Sequence, residues 1–177
     1  MPENTLLAYS TTDGHTLHIC ERIRDRLKEQ GQSVTIRSIA AVTPEELSSS
    51  DKIVIGASIR YGRHSDEVSR FIQIHHELLS HKPSAFFSVN LVARKPNRNT
   101  PETNPYARRF LKRISWKPKL AAVFAGRLDY PSYGFWDRHV IRLIMLITGG
   151  PTDPASITEF TDWMQVDAFA SGIAGLK

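Results

Sequence analysis

Five short, almost uninterrupted apolar runs alternate along this chain with stretches whose apolar residues recur every three or four positions. The runs cover residues 5–9, 33–36, 51–58, 85–89 and 120–125, each of strand length and most of them β-branched or aromatic. Between or after them, Leu17, Cys20, Ile23 and Leu27 mark one helical face, and Val68, Phe71, Ile72, His75, Leu78 and Leu79 mark another. Tyr106, Phe110, Leu111 and Ile114 form a third, and Trp163, Val166, Ala170 and Ile173 a fourth. A strand without polar alternation is covered on both faces, and strands separated by helices pair in parallel. The pattern predicts an α/β three-layer sandwich around a five-stranded parallel sheet. For a chain of this size the order 2-1-3-4-5 is a common solution. With 177 residues and no linker or repeat, residues 1–177 are read as a single domain.

One connection breaks the rhythm. About thirty residues, roughly 127–157, separate the fifth strand from the last helix, where two to six are usual. This insertion holds an aromatic-rich loop, an amphipathic stretch and Gly149-Gly150.

Composition narrows the function classes. A single cysteine, Cys20, excludes an internal disulfide or an iron–sulfur cluster and favours a reducing compartment. No basic region precedes the first apolar run, so no secretory signal is expected, and no stretch reaches the roughly 20 apolar residues that span a bilayer. A net charge of +5 favours an anionic partner. His76-Glu77 with His81 fails as a zinc motif because Ser80 stands where the second histidine belongs, so no metal is expected.

The first strand-to-helix turn carries the clearest chemistry. Ser10, Thr11, Thr12 and Thr16 offer hydroxyls, Gly14 permits close backbone approach, and the free N–H groups of a helix start lie beside Asp13 and His15. Together they suit a phosphate. A hydroxyl-capped turn without ligand would use the same residues, and the loop alone does not separate the two. In this architecture ligands lie beyond the carboxyl ends of the strands. Two further ends, Ala57-Ser58-Ile59-Arg60-Tyr61-Gly62 and Ser88-Val89-Asn90-Leu91-Val92, place an aromatic and polar groups where a flat ring would sit. A monophosphate at the first loop and a ring between the other two describe FMN.

These blocks resemble a flavodoxin and, within that fold, the quinone-dependent protoporphyrinogen IX dehydrogenase family. The resemblance spans nearly the whole chain. It rests on Tyr9-Ser10-Thr11 with Asp13-Gly14 and Thr16, on the stretch 54–62, and on Phe87-Ser88-Val89-Asn90-Leu91-Val92-Ala93-Arg94-Lys95-Pro96. Thr100-Pro101, Tyr106-Ala107-Arg108, Trp136-Asp137-Arg138, Gly149-Gly150 and Thr161-Asp162-Trp163 continue it. Asp13 makes the first turn one residue longer than in simple flavodoxins; a cap turned away from the anion would account for it.

The resemblance implies noncovalent FMN, oxidation of protoporphyrinogen IX to protoporphyrin IX in heme biosynthesis, and electron transfer to a membrane quinone, menaquinone or ubiquinone. It also implies a peripheral place on the cytoplasmic face of the inner membrane. The alternatives are a flavodoxin-type electron carrier, usually acidic where this chain is basic, and a generic FMN quinone reductase. The basic cluster around Arg94, Lys95 and Arg108 is read either as a solvated helix face or as a rim that receives substrate carboxylates. It lacks interleaved aromatics, so nucleic acid is not expected. No catalytic base is assigned. Homo-oligomerisation is left open.

Within the insertion, Trp136, Val140, Leu143, Ile144 and Ile147 fall on one helical face, with Arg138, His139 and Arg142 on the other side or its border. Such a helix suits an anionic membrane surface. The competing reading is that it covers the protein's own core or a partner subunit.

Overall fold

The computed structural model describes residues 2–177. The elements follow in the order β1 (Asn4–Ser10), α1 (His15–Glu29), β2 (Ser33–Ser38), α2 (Pro44–Ser49), β3 (Lys52–Ser58), α3 (Asp66–Ile74), α4 (His76–His81), β4 (Ser84–Asn90), α5 (Pro105–Arg113) and β5 (Leu120–Ala125). The insertion then contributes β6 (Arg127–Asp129), α6 (Phe135–Thr148) and β7 (Ile157–Glu159), and α7 (Trp163–Ala174) closes the chain.

The first five strands form one parallel sheet in the order β2-β1-β3-β4-β5, as expected. One row across it runs Ile36, Leu7, Val54, Ala85, Leu120. Strand alternation sends neighbouring residues to opposite layers. Leu6, Ile53, Ile55 and Phe86 pack on one side with Val68, Ile72, Phe110 and Trp116. Leu7, Val54 and Phe87 pack on the other with Ile19 and Ile23 of α1 and Val166 and Ile173 of α7. Cys20 lies in this second layer, where burial pushes its thiol pKa up and leaves it a packing residue. The α1–α7 pair is tied outside the core by Asp167, which accepts from Arg22 and Arg26.

Two features differ from the expectation. The helical face from Val68 to Leu79 is not one helix: the chain breaks at His75 (φ −102°, ψ 17°), whose ring packs on Phe71 at 4.7 Å. The insertion is also more ordered than a loop with one helix. β6 and β7 pair antiparallel and close it at its base, while Leu128, Tyr130, Tyr133, Ile141 and Met145 give it a small core of its own.

Candidate functional site

The carboxyl ends of β1, β3 and β4 lie side by side, with Ser10 opposite Ala57 and Ala57 opposite Ser88. A cavity of about 450 Å³ opens beyond them. Its floor is the loop after β1. Gly14 sits at φ 81°, a left-handed conformation suited to glycine, and starts α1 without a side-chain cap. No acid lies in the first turn of α1, so that helix end is not neutralised from within. Thr16 is fully buried, and its Oγ1 has no hydrogen-bond partner; the Oγ1 of Thr11 is likewise buried and unpartnered. Both residues line the cavity. Buried hydroxyls are ordinarily satisfied, so two orphans, one in the loop and one in the first turn of α1, fit an acceptor-rich anion there.

His15 adds a second fixed group. Thr161 Oγ1 donates to the Ala125 carbonyl at 2.8 Å and lies 2.6 Å from His15 Nε2. That hydroxyl has one proton, so it must accept from His15, which places the neutral ring's proton on Nε2. Burial lowers the His15 pKa, consistent with a neutral imidazole.

The turn after β3 forms one wall. Arg60 and Arg63 exchange backbone hydrogen bonds, and both residues between them have positive φ, Tyr61 at 49° and Gly62 at 78°. A tyrosine in this region is uncommon; the residue is 63% exposed and lines the cavity. Asp13 does not cap α1. Both its oxygens accept from Arg60 Nη1 at 3.1 Å, so the extra residue of the turn is spent on a bond to the opposite wall.

The end of β4 and the residues after it form the second wall through Val89, Asn90, Leu91 and Val92, with Tyr106 and Gly126 beside it. Ser88 is turned away from the cavity. Period-two alternation puts it on the Phe86 side, where its hydroxyl meets His64 Nε2 at 2.9 Å and accepts from Asn90 Nδ2. Asn90 also exchanges hydrogen bonds with Asn104, which caps α5. His64 belongs to this structural chain, packed on Phe86 and Phe110; burial and then the Arg113 charge push its pKa down to about 3.

α6 supplies the third wall through Ile141, Ile144, Met145 and Thr148. Arg94 lines the cavity and has no carboxylate partner. Its amino groups donate to the Leu91 carbonyl and to the carbonyl and hydroxyl of Thr148. Lys95 and the exposed Arg108 lie outside the cavity lining, as do Ser10, Thr12, Gly14, Ala57 and Ser88. Ser10 instead hydrogen-bonds Ser65. Thr11, Asp13, His15, Thr16, Ser58, Ile59, Arg60, Tyr61 and Gly62 line it together.

Sequence reasoning missed Tyr106, Gly126, Arg127, Tyr133, Ile141, Met145 and Thr148 on the lining. Gly126 directly follows β5, so the strand-end rule applied once more would have found it. Nothing local marks the others. On α6, the outward face holds the expected Trp136, Val140, Leu143 and Ile147, all exposed, and Phe135 and Leu146 extend it, whereas the expected Ile144, also exposed, turns toward the cavity. Only Ile141 and Met145 of that helix are buried. Arg138 is turned inward, donating to the carbonyls of Tyr130 and Tyr133, and is not part of any outward basic border. Among the described residues no helix is long and apolar enough to cross a membrane.

The family model described as a flavodoxin domain matches residues 6–155, and a flavodoxin domain indicates a flavin cofactor. An archaeal flavodoxin superposes with a TM-score of 0.55 at 16% identity, covering 97% of this chain and 96% of its own. Flavodoxin 1 from Bacillus cereus superposes with 0.56 at 14% identity, covering 97% of each chain. At these identities the likeness shows the fold. In sequence, protoporphyrinogen IX dehydrogenase [quinone] of Escherichia coli strain K12 is 45% identical over 172 residues, covering 97% of this chain and 95% of that protein. The protein of the same name from Leishmania major is 46% identical over 97% of this chain and 74% of its own length. The chain belongs to the flavodoxin-domain family and, within it, to the quinone-dependent protoporphyrinogen IX dehydrogenases.

Proposed function

We propose that this protein oxidises protoporphyrinogen IX to protoporphyrin IX, with FMN as its redox group and a membrane quinone as final acceptor. The observation that carries this reading is the continuity of one cavity, from the orphaned hydroxyls of Thr11 and Thr16 at its floor to the apolar wall of α6. The floor suits a single phosphate, which favours FMN over a dinucleotide. Thr11, Thr16 and the uncapped start of α1 at Gly14 hold that phosphate. Tyr61 and the stretch Val89–Val92 flank the ring. FMN, when bound, supplies the two-electron redox chemistry, and the protein supplies binding, orientation and electrostatics.

The remaining walls serve the substrates. Arg94 places a guanidinium on the cavity wall without a carboxylate of its own, a fitting partner for a porphyrinogen propionate. Lys95 and Arg108 extend positive potential along the rim. Ile141, Ile144 and Met145 keep water from the face opposite the ring. The porphyrinogen gives up two electrons and two protons at each of its successive steps, and the quinone takes up the same number, so the two must alternate at the site. The exposed apolar face of α6 lies in the interface of an anionic membrane, where such quinones are dissolved. This makes the protein peripheral to the membrane.

The test uses purified protein. An absorption spectrum with flavin bands, and porphyrin fluorescence that develops under anaerobic conditions only with both protein and quinone, is expected. A colourless protein that takes up no FMN, or porphyrin formation no faster than without protein, would overturn the reading. Bound flavin without porphyrin formation would favour the electron-carrier alternative.

A further inference from the structure

Arg60 and Tyr61 reach across the cavity edge to the same carboxylate, Asp137 in the first turn of α6. Tyr61 Oη donates to Asp137 Oδ1, and Arg60 Nη2 donates to Asp137 Oδ2 at 2.5 Å. Arg60 Nη1 holds Asp13 of the phosphate loop at the same time. The Arg60 guanidinium also lies 5.4 Å from the Tyr61 ring centre and 5.5 Å from that of Tyr133. Without Asp137, Tyr61 is an exposed ring on a turn of positive φ, with its hydroxyl in solvent.

We propose that Asp137 is a positioning residue for the flavin site: it fixes the Tyr61 ring and the Arg60 guanidinium, so that the insertion completes a wall the five-stranded sheet cannot supply. This rests on the flavin reading above. Three separate segments meet at Arg60: the loop after β1, the turn after β3 and the start of α6. The insertion contributes the Asp137 carboxylate and the Tyr133 ring, and of these Asp137 is the one that hydrogen-bonds the wall. The tyrosine hydrogen bond, with help from the arginine, holds its carboxyl below the usual carboxylate range, so the tie is charged and closed at neutral pH. Removing the carboxylate leaves Tyr61 free to rotate and Arg60 with Asp13 alone. The cost falls on the ring end of the flavin, where Tyr61 packs, and not on the phosphate end.

The test compares Asp137→Ala, Asp137→Glu and Tyr61→Phe in the full chain, reading FMN affinity and the residual fluorescence of bound FMN. Aromatic contact quenches flavin fluorescence, which a general loss of stability in the apoprotein would not imitate. Asp137→Ala is expected to weaken FMN binding about three- to tenfold and to raise bound-flavin fluorescence. Asp137→Glu is expected to recover part of both. Tyr61→Phe keeps the ring but loses its tie, so it should raise fluorescence as well, and adding Asp137→Ala to it should add only the smaller effect of freeing Arg60. If Asp137→Ala folds poorly, the Tyr61→Phe measurement decides. Affinity and fluorescence within twofold of wild type in the single variants would overturn the positioning role while leaving the flavin reading intact. Failure of the wild-type protein to bind FMN would overturn both.

Discussion

The floor of the cavity and the outer face of α6 break the ordinary rule of burial in opposite directions. At the floor, the hydroxyls of Thr11 and Thr16 are buried with nothing to bond. On α6, Trp136 is 78% exposed and Ile147 75%, with Phe135, Leu143 and Leu146 beside them. Buried polar groups and exposed apolar patches are the two departures that carry information, because each leaves unpaid a cost that a ligand can relieve. The sheet between them carries neither cost: every residue of β4 is buried, but its polar ones, Ser84, Ser88 and Asn90, are hydrogen-bonded, and its layers pack apolar against apolar. The five-stranded sheet is therefore satisfied by itself, and on the proposed reading the floor and the α6 face are left for what the protein binds, an anion at one and an apolar phase at the other.

Thr16→Val sharpens the first half of this comparison, because it should move two quantities in opposite directions. The loss of a hydrogen bond to a charged phosphate costs about 1.5–3 kcal/mol, so FMN should bind tenfold or more weakly. The apoprotein should gain stability, since a buried hydroxyl without a partner is removed and a methyl of similar size takes its place. Flavin titration and urea unfolding of the apoprotein check the pair. Unchanged affinity, or an apoprotein that is strongly destabilised, would break the assignment of the floor as an anion site.

His64 tests whether a buried polar group in the scaffold, unlike those at the floor, is fully provided for. Its ring is held neutral, with the pKa pushed from 6.5 to about 3 by burial and by the Arg113 charge. The unfolded chain binds a proton below its ordinary value and the folded chain does not. Stability contributed here is thus present in full above about 6.5 and falls as pH drops toward 3, by about 1.4 kcal/mol for each pH unit. His64→Gln keeps a hydrogen-bonding group for Ser88 and removes the titration. Unfolding free energies at pH 7, 6 and 5 should fall more steeply for wild type than for the variant. Parallel profiles would show that His64 is not held neutral.

The sheet was legible because its runs are local and its order follows from their unbroken apolar character. The loop proposed for the phosphate stands out for the same reason, as its hydroxyls and glycine sit within seven consecutive residues. What escaped is nonlocal or depends on direction. Asp13, Arg60 and Asp137 are far apart in the chain, and nothing in the neighbourhood of any one names the other two. Arg138 has the sequence setting of a surface cation, yet two backbone carbonyls of the preceding turn draw it inward. Ser88 was legible in principle: counting by twos from Phe86 sends it to the His64 layer and away from the cavity, whereas grouping it with its strand end did not.

The smallest expected effect on the fold, and the sharpest test of the second region, comes from Leu143→Ser combined with Ile147→Ser. Both side chains are exposed and neither lines the cavity, so folding stability should change by no more than about 0.5 kcal/mol each, and FMN content should not change. Membrane affinity scales with buried hydrocarbon, at about 0.8 kcal/mol per CH₂, so losing these chains should weaken binding to anionic vesicles tenfold or more. Reduction of a long-tailed quinone presented in those vesicles should slow, while reduction of a soluble, tail-less quinone should fall much less, because only the former must be met at the lipid surface. The design separates three coverings of one face. A collapse of thermal stability with vesicle binding unchanged would mean that the face is packed against the protein's own chain. Loss of a concentration-dependent dimer, measured by sedimentation, would mean that a second copy covers it. Weakened vesicle binding by a monomer that still melts like wild type leaves the membrane as the apolar phase that α6 was built to meet.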